Sequence, residues 1–438
     1  MIDKYRFISR TLFTMMWIQL CWGFVCTDLV TALEPSRNYI NLVADVIYVS
    51  LGLMTLHARR DVRVLAVFIV IVAISAYINH QNTFEVMNGF RDFIGLLFVP
   101  PILRYLLTSP DSDEFVDSMN RQLYVFLWIQ VPCLVSQYVR FGACDAGGGS
   151  LGYGGSGMIS TLIYLISFYL LNKRWDNTES YVHNLWVNKD LVFLLFPTFL
   201  NETKVSIVYF MLYFVLLMTV DRKFIVRMFV AAPVILCMLG GIAYLYLSAN
   251  RENAERFDAD FFYDYLVGLE IDDYIELAQL VQDEVVETDN LWVVDLPRFG
   301  RFLAVPDAMK STKGGFVLGA GIGQFKGGNL VSASRFAQEY QWLLKGSLTM
   351  VFLIIIQLGF VGLAWLLWAV LSLILTPDDH QRRNNMLFYL IMVMAIVFVY
   401  DNQYRYVYYC VPVFYIYLRG LQGPWHKTKE VISGYVRY

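Results

Sequence analysis

The chain has 438 residues, of which 57% are hydrophobic, 16% aromatic and only 16% charged; its mean hydropathy is +0.50 and its formal net charge is -3. A soluble domain carries about 25% charged residues and could not bury this much apolar surface. The composition therefore excludes an ordinary cytosolic enzyme, a disordered chain and a disulfide scaffold, and it predicts an all-α polytopic membrane protein.

Apolar stretches of roughly twenty residues predict about 12 transmembrane helices. The seventh and eighth are short and meet at Asn201-Glu202-Thr203-Lys204, so they are either half-spans or a tilted hairpin. No cleavable signal peptide is expected, because the first stretch runs on without a small-residue exit site. In chain order the stretches are 11–30, 38–56, 64–79, 92–108, 122–140, 157–172, 187–200, 205–220, 224–248, 348–375, 386–400 and 406–420.

The distribution of Lys and Arg predicts the orientation of these helices. With the N-terminus in the cytoplasm, the short inner segments hold 20 Lys and Arg and the short outer segments hold 5. Both termini are therefore expected in the cytoplasm. Helices one to nine occupy 1–248, a large extracytoplasmic loop domain occupies 249–345, and the last three helices with a cytoplasmic tail occupy 346–438. The loop is acidic, with 9 basic and 16 acidic residues, which the rule allows because long loops cross regardless of charge.

Two outer segments are rich in glycine. Residues 142–157 contain eight glycines in sixteen positions, which fits either a loop where backbone approaches a ligand closely or a plain linker. In the long loop, the acidic and aromatic residues 255–287 predict two amphipathic helices over the membrane mouth. Residues 314–325 contain G-x-G-x-G outside the strand-turn-helix context of a dinucleotide site. Residues 331–347 are predicted to be helical and lead into the tenth span.

A few basic residues stand on the predicted outer side, against the general trend of the chain. A charge near the end of a span is unfavourable unless it is paired or hydrated, so these residues are functional candidates. Guanidinium and ammonium groups gathered on one side suit a phosphate or diphosphate group. The predicted diphosphate-binding residues are Lys204, Arg335, Arg91, Arg140 and Arg405.

Two carboxylates accompany these basic residues. Glu202 lies beside Lys204 at the start of the eighth helix, and Glu339 lies one helical turn after Arg335. Either carboxylate is a candidate general base or a group that positions a hydroxyl. The sequence contains no C-x-x-C or H-x-x-x-H spacing, so a zinc site is not expected.

Each candidate also has a purely structural interpretation. Arg91 could pair with its neighbour Asp92 or extend its charge to the interface, and Lys204 could do the latter. Arg335 and Glu339 could form an ordinary surface pair worth less than about 1 kcal/mol. The residues alone leave these alternatives open.

The arrangement of twelve spans, one large outer loop late in the chain and three spans after it resembles the O-antigen polymerase and O-antigen ligase superfamily. Asn201-Glu202-Thr203-Lys204 is similar to the family's Ser-x-Ser-Arg stretch, with Lys204 where arginine is usual. Residues 318–325 are similar to its Gly-x-Gly-x-Gly-x-Phe. Residues 339–344, followed by 357–362, resemble its His-Asn-x-x-Leu segment and the Leu-Gly-x-x-Gly that comes next. Ligases carry a histidine in the outer loop, and 249–345 contains none, which favours a polymerase.

The resemblance implies a GT-C-like helical fold in the bacterial inner (cytoplasmic) membrane and a metal-independent glycosyltransferase without a cofactor. The implied substrate is an oligosaccharide on polyprenyl diphosphate, polymerised at the outer leaflet into O-antigen, capsule or exopolysaccharide. Lys204, Arg335 and Arg91 would neutralise the leaving diphosphate, and Glu339 or Glu202 would activate or orient the acceptor hydroxyl. Membrane lipids, a chain-length regulator and a flippase are the implied partners, and nucleic acid is not.

Three other functions remain open from the sequence. The first is a ligase that transfers the finished glycan from its lipid carrier to an acceptor. The second is a transporter of lipid-linked oligosaccharides, which would need charges near the midplane and roughly matched halves. The third is a non-catalytic scaffold or sensor in an envelope assembly.

Overall fold

The computed structural model describes residues 3–142, 147–201, 205–217, 301–324, 348–371 and 381–421, with the single positions 336 and 340. Within these ranges the regular structure is entirely helical. The α-helices are α1 (Lys4–Phe24), α2 (Ser36–Thr55), α3 (Arg59–Ile78), α4 (Thr83–Phe90), α5 (Ile94–Thr108), α6 (Ser112–Phe141), α7 (Ser156–Arg174), α8 (Tyr181–Val187), α9 (Lys189–Phe193), α10 (Val205–Leu217), α11 (Arg301–Lys310), α12 (Gly315–Leu318), α13 (Met350–Leu371), α14 (Gln381–Tyr400) and α15 (Val407–Leu421).

Six segments of the described chain are long and apolar enough to cross a membrane. They correspond to α1 with its π-helical extension, α2, α3, α4 with α5, α6 and most of α13, and they confirm a helical membrane protein. Two shorter apolar helices, α10 and the second part of α14, lie beside them. The count of twelve spans stays a prediction.

The seventh predicted span, 187–200, is not a continuous helix. The chain instead forms α8, then α9, then a 3-10 turn at Phe196–Phe199. Asn188 ends α8 because its side-chain Nδ2 donates to the backbone oxygen of Asn184 at 2.9 Å, and Pro197 lacks an N–H for a longer helix. The ninth predicted span (224–248) and the amphipathic helices of 255–287 lie outside the described residues, as does nearly all of the predicted helix at 331–347.

Helix α7 is the centre of the bundle. Sixteen of its 19 residues are buried, and it packs against α6, α10, α14 and α15. Its polar side chains can be buried because residues on neighbouring helices form hydrogen bonds with them. The Thr161 and Tyr209 hydroxyls are 3.3 Å apart, and the Ser167 and Tyr213 hydroxyls are 3.0 Å apart. Buried hydroxyls in an apolar bundle need such partners, so these pairs fix the rotation of α7 against α10.

Asn120 on α6 joins three helices at the other end of α7. The hydroxyl of Tyr169 on α7 donates to Asn120 Oδ1 at 2.9 Å, and the hydroxyl of Tyr415 on α15 donates to the same oxygen at 3.0 Å. All three side chains are buried. One amide oxygen therefore accepts from two buried hydroxyls and links three helices.

We expect Asn120→Ala to destabilise the bundle, because the substitution removes the shared acceptor of Tyr169 and Tyr415. The expected cost is about 1–3 kcal/mol, read as a lower unfolding temperature of the detergent-solubilised protein. Arg121→Ala is the matched control, since Arg121 is the next residue of α6 and is exposed. Equal unfolding temperatures for the two variants would contradict the assigned role of Asn120.

Candidate functional site

The described bundle gathers its irregular backbone at one end, which we call the loop pole. Here α1, α3, α6 and α14 end, and α2, α7, α13 and α15 begin. Direct contacts join its parts. The Met350 N–H donates to the Asp401 carbonyl at 2.9 Å, and the backbones at Gly89 and Gly323 meet so closely that a Cβ on Gly89 would lie 2.3 Å from the nitrogen of Gly323. The sequence predicts that this pole faces the outside.

The first glycine-rich segment folds back into the bundle as a docked loop, residues 147–155. The side-chain oxygen of Gln137 accepts from the N–H of Gly149 at 2.8 Å, and its Nε2 donates to the Gly149 carbonyl at 3.1 Å. Gln130 makes a similar pair of hydrogen bonds with Ser150. Its side-chain oxygen accepts from the Ser150 N–H at 2.9 Å, and its Nε2 donates to the Ser150 Oγ at 3.0 Å. Residues 147–152 are buried. This part of the segment is therefore not a solvent-exposed linker.

Glycine is required where the docked loop touches α1. A Cβ on Gly23 of α1 would lie 1.9 Å from the carbonyl oxygen of Leu151. Within the loop, Gly149 and Gly152 adopt φ of +57° and +82°, which disfavour a side chain. Arg37 on α2 also contacts this loop, since its Nη2 donates to the Leu151 carbonyl at 3.2 Å.

The second glycine-rich segment, residues 314–324, is inserted against α13. Helix α13 is interrupted at Gly359, where φ is +64°, and the interruption leaves carbonyl groups without helical donors. The N–H of Ala320 donates to the Ile356 carbonyl at 2.7 Å, and the N–H of Gly321 donates to the Gln357 carbonyl at 2.9 Å. The loop thus completes the hydrogen bonding of a broken helix.

Two amides at the end of α3 hold the other edge of this second loop. Asn79 Nδ2 donates to the Gly319 carbonyl at 3.0 Å, and Gln81 Nε2 donates to the Ile322 carbonyl at 2.8 Å. Sequence reasoning did not single out these residues, nor Gln130, Gln137 or Arg37, as site residues. A signal existed for the two glutamines, because they are seven residues apart on an apolar helix and therefore share one face.

Arg91 and Arg405 come together through a crossed pair of salt bridges. Arg91 Nε lies 2.6 Å from Asp45 Oδ2 on α2, and Arg405 Nε lies 3.1 Å from Asp92 Oδ1. The suggested pairing of Arg91 with Asp92 is therefore wrong, because the 3-10 turn at Arg91–Phe93 directs consecutive side chains to different neighbours. Burial lowers the pKa of the Arg405 guanidinium, but Asp92 and Tyr406 together raise it further, so the net shift is upward.

The other predicted site residues divide into two groups. Arg140 lies at the loop pole, where its Nη1 donates to the Asp28 carbonyl, and no described contact connects it to the Arg91–Arg405 pair. The remaining four lie outside the described residues. Two of them belong to the segment 202–204, whose described neighbours Asn201 and Val205 are buried at this pole. These four are Glu202, Lys204, Arg335 and Glu339.

Asp401 is a carboxylate of the loop pole that was not predicted from sequence as a site residue. It follows α14 and lies against the first turn of α7, where a Cβ on Gly157 would be 3.1 Å from its Oδ2. The same oxygen accepts a hydrogen bond of 2.6 Å from Gln403 Nε2. The absence of a side chain at Gly157 lets the carboxylate approach the N-terminal end of α7, which favours negative charge.

The six spanning-length segments of the described chain, packed with the buried helix α7, make this a helical membrane protein. No protein-family model matches its sequence, and no curated protein matches it at a significant level. The function therefore has to be argued from the loop pole.

We expect Gly23→Ala to displace the first glycine loop, because the added methyl group would overlap the Leu151 carbonyl. The expected cost is about 1–3 kcal/mol, with faster amide exchange at 148–152 in hydrogen-exchange mass spectrometry. Gly147→Ala is the control on the same loop, since its Cβ would make only ordinary contacts from 3.4 Å outward. Unchanged exchange in Gly23→Ala would show that the loop is not docked on α1.

We expect Asp92→Ala to destabilise the protein strongly, because the Asp92 carboxylate is buried and its loss leaves Arg405 without that salt-bridge partner. The expected destabilisation is about 3 kcal/mol in thermal unfolding. In the exposed pair of Asp3 and Arg6, with 3.7 Å between charged atoms, Arg6→Ala should lower stability by less than about 1 kcal/mol. A double-mutant cycle with Arg405→Ala should recover a coupling energy, and additive effects would contradict the pairing.

Proposed function

We propose that this membrane protein polymerises oligosaccharide repeat units carried on polyprenyl diphosphate. The reaction takes place at the outer leaflet of the bacterial inner membrane, with both termini in the cytoplasm and the helices in a GT-C-like arrangement. The product is O-antigen, capsule or exopolysaccharide. The proposal starts from the resemblance of sequence to the O-antigen polymerase and ligase superfamily, whose polymerase branch lacks the ligase histidine.

The observation that carries the proposal is the gathering of its sequence elements at the loop pole. The 314–324 segment, which is similar to the family's glycine motif, is docked there against α13. Arg91 and Arg405 are brought together at the same pole, and the described residues on both sides of Glu202-Thr203-Lys204 are buried there. A lipid diphosphate at the outer leaflet would meet the protein at such an end.

The chemistry needs cations that stabilise a diphosphate leaving group and a carboxylate that accepts a proton. In the proposed step, the acceptor hydroxyl oxygen bonds to the anomeric carbon of the growing chain while the bond from that carbon to the diphosphate oxygen breaks. The hydroxyl proton passes to Glu339 or Glu202, and the diphosphate departs on its lipid. Lys204, Arg335 and Arg91 stabilise the charge that develops on the leaving group.

The salt bridges of Arg91 and Arg405 give these two arginines a defined position. Asp45 and Asp92 neutralise part of their charge in the absence of substrate, which limits the desolvation cost of keeping guanidinium groups at the edge of an apolar bundle. A diphosphate would share the guanidinium donors with these carboxylates, because each guanidinium has five N–H groups.

We expect Lys204→Ala and Arg335→Ala to collapse the surface glycan to single repeat units. The measurement is the size profile of lipid-linked and surface glycan in a deletion strain that expresses each variant at equal protein level. Loss of one electrostatic donor should lower polymer formation by about a hundredfold. Lys204→Arg should retain polymer, because the resembling family uses arginine at this position.

The control is Arg6→Ala, since Arg6 is exposed on α1 at the pole opposite the loops. This variant should give the wild-type glycan profile. If the deletion strain instead accumulates full-length polymer on its lipid carrier, the missing activity is that of a ligase and not of a polymerase. A deletion strain with an unchanged glycan profile would refute both activities and favour the transporter.

A further inference from the structure

A buried carboxylate, Asp28, lies at the loop pole where α1 ends. The last turn of this helix, Val25–Leu29, is π-helical, and its closing hydrogen bond runs from the Val30 N–H to the Val25 carbonyl at 2.8 Å. Asp28 is only 6% exposed. A π-turn is a strained local geometry that is frequent at functional sites, and the C-terminal end of a helix carries partial negative charge. The helix end adds to the negative character of this position.

The oxygens around Asp28 have too few hydrogen-bond donors. The Thr27 hydroxyl lies 2.6 Å from Asp28 Oδ2 and 3.0 Å from the Gly23 carbonyl, but a hydroxyl has one proton and can donate it to only one of them. Gln137 Nε2 supplies one further donor to Oδ2 at 3.1 Å. Asp28 Oδ1 is buried and makes no hydrogen bond with the part of the chain that the structure describes. A carboxylate oxygen in this condition is costly unless a positive group approaches it.

The nearest arginine does not take that role. Arg140 donates to the backbone carbonyl of Asp28, its side chain lies on the exposed face of α6, and the ion pairs of the described chain do not include the Asp28 carboxylate. The first glycine loop closes the other side of the cluster. A Cβ on Gly152 would lie 2.4 Å from Thr27 Oγ1 and 2.6 Å from the Gly23 carbonyl, so only glycine admits the backbone there.

We propose that Asp28, Thr27 and the Gly23 carbonyl bind a monovalent cation, Na⁺, that ties the end of α1 to the first glycine loop. One carboxylate balances the charge of one such ion. In secondary transporters, unwound backbone carbonyls and the C-terminal ends of half-helices coordinate Na⁺. The site is separate from the Arg91–Arg405 pair, and the inference does not depend on the proposed polymerase activity.

The test measures the thermal unfolding of the full chain in nanodiscs while NaCl replaces choline chloride at constant ionic strength. For the wild type we expect a saturable rise of several degrees in the unfolding temperature, because the ion binds only the folded chain. Asp28→Asn should abolish the Na⁺-dependent rise. Thr27→Val should weaken the apparent Na⁺ affinity roughly tenfold, whereas Thr27→Ser, which keeps the hydroxyl, should not.

Asp45→Asn is the matched control, since Asp45 is also a buried carboxylate of this pole but is paired with Arg91. Its Na⁺-dependent increment should equal that of the wild type whatever its own stability. If Asp28→Asn does not fold, the two Thr27 variants decide the question together with sodium NMR line broadening on the wild type. A wild-type protein whose stability depends on pH but not on Na⁺, or a Na⁺ response that persists in Asp28→Asn or is equal in Thr27→Val, would overturn the proposal.

Discussion

Non-helical backbone inside an apolar helix bundle must have its N–H and C=O groups hydrogen-bonded by the protein, because neither lipid nor core offers a partner. The loop pole is organised by this constraint. Two glycine-rich segments enter the bundle, and each is met by groups that replace a helical or strand partner. Gln130 and Gln137 hold residues 147–152, and the broken helix α13 with Asn79 and Gln81 holds residues 314–324. The glycines allow the close approach, and the amides satisfy the backbone.

The same constraint governs the charges of this pole. Asp45, Asp92, Arg91 and Arg405 form two crossed pairs that connect α2, the turn at 91–93 and the turn at 403–405. Such pairs lower the cost of charge in a partly dehydrated environment without removing the donors that an anionic ligand would use. Asp28 differs from these carboxylates, since none of the salt bridges among the described residues includes it. The pole therefore offers basic groups suited to an anion in one place and an oxygen cluster suited to a cation in another.

Several elements could be predicted from composition and periodicity. The first five apolar stretches correspond to spanning segments of the structure, and the predicted span at 348–375 corresponds to α13. The broken region at 187–200 could not be predicted from hydropathy, because its apolar content is that of a span while Asn188 and Pro197 interrupt the helix locally. Similarly, the adjacent residues Arg91 and Asp92 suggested an ion pair from sequence. The 3-10 turn at 91–93 instead points their side chains in different directions, so that Arg91 pairs with Asp45 and Asp92 pairs with Arg405.

The sequence by itself determined that this is a helical membrane protein, because the apolar fraction and the length of its apolar stretches leave no other stable arrangement. It also marked Arg91, Arg140 and Arg405 as unusual, since charges at the ends of spans need a reason. Only the tertiary structure decided that the first glycine-rich segment is docked inside the bundle and that Asp28 is buried among oxygens. Those features depend on contacts between residues more than a hundred positions apart, such as Thr27 with Tyr153 and Asp28 with Gln137, and local sequence pattern carries no information about which distant groups will meet.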